Sequence, residues 1–115
     1  MDDRPTLDQG RLIAKTSRNF RGRDLSGMAL EGLNLIDVDL SEADLSEADL
    51  GKANLSRANL SKANLSNANL SGASLSGANL TRTDLNGANL RGADLTNAGI
   101  EGVRNIDKAK NLEKA

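Results

Sequence analysis

The chain has 115 residues, with 15 Lys and Arg against 16 Asp and Glu, no histidine, no cysteine and one aromatic, Phe20. That length holds a single small domain, and the near-zero net charge supplies neither a basic field for nucleic acid nor a strongly acidic one. Without cysteine and histidine there are no disulfides, thiolate nucleophiles, imidazole ligands or histidine bases, and one aromatic is too few for a base-stacking platform.

The N-terminal segment, residues 1–17, has no basic stretch followed by an apolar one. No apolar run in the chain approaches the roughly 20 residues of a membrane-spanning helix. The expectation is a soluble, cytoplasmic protein with no membrane partner, although a processed, exported form would read the same way. Leu7, Leu12 and Ile13 are apolar, and Thr6 has the chemistry of a helix cap, but Gly10 interrupts a helical reading. A short capping segment is predicted.

From residue 20 the chain repeats every five residues. Phe20, the leucines at every fifth position from Leu25 to Leu95, and Ile100 make 17 apolar residues in 17 registers. Two residues before each centre stands alanine in 11 registers, with Arg18, Arg23, Met28, Leu33, Val38 and Thr83 as the others. Immediately before the centre stands Asp or Asn in 14 of 17. A helix would turn successive centres by about 140° and spread them around its whole circumference. A continuous strand would place them on alternate faces. The pattern closes only if the backbone turns a corner every five residues, so that centres and small residues point to a common axis.

Residue chemistry at the corners agrees. The second residue after the centre is Gly in eight registers and Asn in two, the residues that accept positive φ at the third position of a type II turn. Glu42, Glu47, Lys52, Arg57 and Lys62 occupy the same place, and a mixture of corner geometries is expected from them. Asp and Asn before the centres are turn formers through side-chain to backbone hydrogen bonds. Thr83 points inward, so its hydroxyl is expected to return to a backbone carbonyl.

The run ADLSEADLGKANLSRANLSKANLSNANLSGASLSGANL resembles the A(D/N)LXX signature of pentapeptide-repeat proteins, and the resemblance covers about residues 18–103. It implies an all-β solenoid, a right-handed quadrilateral parallel β-helix with four pentapeptides per coil and about four coils. Parallel crossovers favour the same hand. Twenty residues per coil stack Leu25, Leu45, Leu65 and Leu85 in one interior column, and the other three sides likewise. The ends of a solenoid expose apolar residues and strand edges, so residues 1–17 and 104–115 are assigned as tail and cap segments around the 18–103 repeat. In the second of these, VRNIDK and AKNLEK recur six apart. There the helix is expected to unwind, with Ile106 and Leu112 covering the last coil.

The reading of function is a non-enzymatic structural or protein-interaction module, a rigid polar rod presented to a protein partner. No cofactor, no metal and no nucleic acid partner are expected, and the protein is expected to be a monomer or to associate weakly end to end. Between Asp24 and Gly51 every charged residue is acidic, whereas residues 52–91 carry five basic residues and only Asp84. Asp24, Asp44 and Asp84 are expected to stack on one side with Glu47, without a basic residue, and form the candidate partner surface. The alternative, which the resemblance suggests, is a DNA mimic that inhibits gyrase or a related topoisomerase. Residues 18–103 carry 11 acidic and 8 basic side chains, a net of -3, against on the order of 12 negatives for a comparable length of duplex. Asp37, Asp39 and Glu42 lie on separate sides and do not suit a calcium loop.

Overall fold

The structure, a computed structural model, describes the backbone of residues 6–8 and 11–13 and all of residues 18–111. Its long axis is set by stacking. Principal extents are 38 × 23 × 22 Å. Four rows of parallel bridges join residues twenty apart: Asn19, Asp39, Asn59, Asn79 and Gly99; Asp24, Asp44, Asn64, Asp84 and Arg104; Ala29, Asp49, Asn69 and Asn89; and Asn34, Asn54, Ser74 and Asp94. Each circuit therefore has four sides of five residues.

The backbone accounting explains why a five-residue unit suffices. In residues 44–48, Asp44 N–H donates to Arg23 O (2.9 Å) and Leu45 N–H to Asn64 O (2.8 Å). Glu47 N–H reaches Ser66 O (2.9 Å), and Ala48 N–H closes the corner onto Leu45 O (3.1 Å). The fifth donor, Ser46 N–H, takes the Asp44 carboxylate oxygen at 3.0 Å. Four amides are thus satisfied by backbone and one by the side chain before the centre, leaving no orphan N–H in the unit.

Every corner adopts the same conformation. All 17 residues at the second corner position, from Gly22 to Gly102, have φ between 58° and 75°. This corrects the expected mixture of geometries: Asp37, Glu42, Glu47, Lys52, Arg57, Lys62 and Arg82 enter the left-handed region just as the glycines do. The amide of that residue must reach the next circuit, as Glu42 N–H does to Ser61 O (2.9 Å). The inter-circuit ladder therefore overrides the local preference.

Inside, every fifth residue from Phe20 to Leu90 is buried, as is the alanine row from Ala43 to Ala93. Thr83 replaces one alanine with no exposed surface, and its hydroxyl donates to Leu60 O at 2.6 Å. A buried hydroxyl is tolerated there because it has an acceptor.

Towards the N-terminus, Thr6–Asp8 (β1) and Arg11–Ile13 (β2) pair antiparallel, Leu7 opposite Leu12; Gly10 itself lies outside the described residues. At the other end the winding does not unwind. Asp84 pairs with Arg104 twenty residues on, and Asn89 with Lys110 twenty-one on, so the last circuit absorbs one extra residue. Asn105 takes a left-handed conformation where a core leucine would fall, and a 3-10 turn at Ile106–Lys108 follows. Ile106 packs against the core in its place. Leu112, also expected to cover this end, lies outside the described residues.

Candidate interaction surface

The outward side chains fall into rows fixed by this scaffold. In all 14 registers with Asp or Asn before the centre, its Oδ1 accepts the backbone N–H two residues on, at 3.0 to 3.1 Å. Ser26, Ser41, Ser46, Ser56 and Ser66 add their hydroxyls to the same oxygen. These residues complete the backbone, which is why the position prefers Asp and Asn.

Asp24, Asp44 and Asp84 do share one row, with Asn64 between them. Glu47 stands at the adjoining corner. The row is not free of basic residues, which corrects the sequence reading: Arg104 is its next member, paired directly with Asp84. Asn105 Nδ2 also donates to Asp84 Oδ1 at 2.9 Å. That amide, then the Asn86 N–H and the Arg104 charge, hold the Asp84 carboxyl below the usual carboxylate range against the opposing effect of burial. The hydroxyls of Ser41 and Thr96, and then their backbone N–H groups, lower Asp39 and Asp94 in the same way. Of these three only Asp84 belongs to the row, where its lowered carboxyl stands against the inter-circuit ladder.

Charge along the chain becomes stacking across circuits. Arg57 Nε lies 3.0 Å from Asp37 Oδ1, and Arg21 lies 3.3 Å from Glu42; these are the two ion pairs among the described residues. Both are well exposed, so each contributes little to stability. Lys62 and Arg82 stack directly on one corner, above Glu42. The basic half of the sequence shows that they exist, but only twenty-residue arithmetic applied to the corner position shows that they are neighbours.

Where serine gives way to Gly51, the surface has a notch of about 320 Å³ beside Asp49, Lys52 and Ser71. Asp49 Oδ1 there accepts from Asn69 Nδ2 at 3.1 Å in place of a serine hydroxyl. Among the described residues no three Asp, Glu, His or Cys side chains gather as a metal site, and no helix is long and apolar enough to cross a membrane.

Stacked corners, an alanine and leucine shaft and outward polar rows define a repeat solenoid. The model of the family of pentapeptide repeats matches residues 19–51, 39–77 and 73–104. The chain belongs to the pentapeptide-repeat family, and its fold is the right-handed quadrilateral β-helix. No curated protein matches the sequence significantly. Among solved structures it is similar to a pentapeptide repeat protein, Rfr23, from the cyanobacterium Cyanothece 51142, with TM-score 0.63 and 26% identity over 81% of this chain and 90% of that one. A pentapeptide repeat protein from Nostoc Pcc 7120 has TM-score 0.53 and 43% identity over 70% of this chain and 63% of that one. One from the Arabidopsis thaliana thylakoid lumen has TM-score 0.41 and 39% identity over 73% of this chain and 62% of that one.

Proposed function

We propose that this protein is a non-enzymatic interaction module, a rod of about four coils closed by short end segments that presents rows of polar side chains to a protein partner. The observation that carries this reading is the uniform corner. Seventeen corners keep one conformation whether they hold Gly, Asn, Asp, Glu, Lys or Arg. Outward residues therefore change without changing the scaffold, and each keeps a fixed place on a grid with about 4.8 Å between circuits. Such a surface is preorganised, so docking costs little backbone entropy. The face of Asp24, Asp44 and Asp84 with Glu47 is the proposed contact, and the protein acts as a monomer or through weak end-to-end association.

Quantitative affinity capture from the native cell, comparing wild type with the D44N/E47Q/D84N variant, tests this. A specific partner should be retained by wild type and lost by the variant, with circular dichroism unchanged. Equal capture by both proteins excludes this face as the contact. A DNA-mimic role is disfavoured by the net of -3 over residues 18–103, and gyrase supercoiling assays should show no inhibition.

A further inference from the structure

We propose that the corner formed by Ser61, Lys62, Thr81 and Arg82 is a second docking surface, which takes a carboxylate-rich segment of a protein partner. It rests on the reading of the rod as an interaction module but uses a different corner from the acidic row. Three observations converge on it. First, Lys62 and Arg82 hold φ of 60° and 58°, where glycine is at ease and a side chain is not. Glycine occupies the two ends of this same column, at Gly22 and Gly102. Second, the two cations stand directly above one another in adjacent circuits, an unfavourable like-charge pairing. The carboxylate beneath them, Glu42, is engaged by Arg21 at 3.3 Å, and neither Lys62 nor Arg82 has an ion pair among the described residues.

Third, Glu101 on the next circuit accepts the Arg82 N–H through its backbone O at 3.0 Å and makes no ion pair with Arg82 among the described residues, and the polar side chains on the two circuits of the cations are left as donors. Asn59 and Asn79 spend Oδ1 on the N–H groups of Ser61 and Thr81, each at 3.0 Å. Their side-chain NH2 groups and the Ser61 and Thr81 hydroxyls have no partner among the described residues. Ser41, directly beneath Ser61, instead gives its hydroxyl to Asp39 at 2.6 Å. Six side chains on two circuits thus offer two positive charges, two amides and two hydroxyls with no carboxylate among them. The left-handed backbone serves the ladder, as at every corner, but like-charge stacking that no ion pair among the described residues relieves points to a contact outside the rod. The complementary surface is negative and rich in acceptors. With circuits about 4.8 Å apart, an extended segment laid along the rod axis passes both cations within about two residues.

The test is a titration of the 15N-labelled full chain with a hexaglutamate peptide, and separately with inorganic phosphate, at fixed ionic strength. Peptide should shift the amides of residues 61, 62, 81 and 82 most. The K62G/R82G variant should bind it about tenfold more weakly, while K52G, which removes an isolated corner cation, should change affinity by less than about twofold. The thermal midpoint of K62G/R82G should equal or exceed that of wild type, since glycine relieves both corners. D44N/E47Q/D84N should not weaken the peptide, which separates failure of this surface from failure of the acidic one. Shifts spread equally over Lys52 and Arg91, or unchanged affinity in K62G/R82G, overturn the proposal. So does a lowered midpoint in that variant, which assigns the two side chains to the fold. Phosphate acting on the same amides at lower concentration than the peptide overturns the assignment to a protein segment.

Discussion

Leu80 and Ile100 hold the same place in the repeat, one circuit apart, yet Leu80 is 1% exposed and Ile100 is 53% exposed. The difference is the neighbour above. Leu80 is covered by the circuit that Ile100 begins, and its N–H bonds to Gly99 O at 2.7 Å. Burial in this rod is a property of stacked circuits rather than of individual residues, so stability is nearest-neighbour in kind and falls away towards an end.

The most direct way to break that contrast is to truncate one aliphatic centre in the middle of the rod and one at its end. Leu55→Ala should cost about 3 kcal/mol, because the fully enclosed shaft cannot collapse around the cavity, whereas Ile100→Ala should cost about 1 kcal/mol or less. Urea unfolding of the two variants checks this, and equal losses would show that the end is as tightly packed as the middle. A smaller effect sharpens it. Asn64→Ala leaves the Ser66 N–H without the oxygen it has at 3.0 Å, and should cost about 1–2 kcal/mol. The matching change Asp94→Ala, on an exposed side of the final circuit, should move the urea midpoint less.

The smallest effect is set by pH. Asp39, Asp84 and Asp94 have folded-state pKa values below the ordinary one, so the unfolded chain binds more protons as acidity rises. Their contribution is present above the unfolded carboxylate range, near pH 4, and is lost as pH falls through the folded values. Urea midpoints should decline below about pH 4, and Asp39→Asn should flatten that decline. A midpoint that rises with acidity would contradict the assignment.

The shaft was readable from the sequence because a period of five admits one solution for Leu25 to Leu90, and the Thr83 hydroxyl had nowhere to go but a carbonyl. The use of Asp and Asn as acceptors was legible for the same reason, since their chemistry is local. Corner geometry was not. Glu42 and Lys62 argue against positive φ when considered alone, and only the bond from each corner amide to the next circuit decides it. The continued winding past Ile100 was hidden because Asn105 looks like a break, whereas its amide ties to Asp84 while Ile106 takes over the core position. Within the candidate surface, the spacing of Asp24, Asp44 and Asp84 was foreseen. Arg104 was missed because it follows the last leucine register.

Four equal sides also have an evolutionary consequence. Duplicating or deleting a single pentapeptide leaves every leucine in the shaft but turns everything downstream by a quarter revolution, so that Asp84 would leave the side of Asp24 and Asp44 and another residue would take its place. Small genetic slips of fifteen nucleotides can thereby deal a new combination of side chains to a partner while the interior stays as it was.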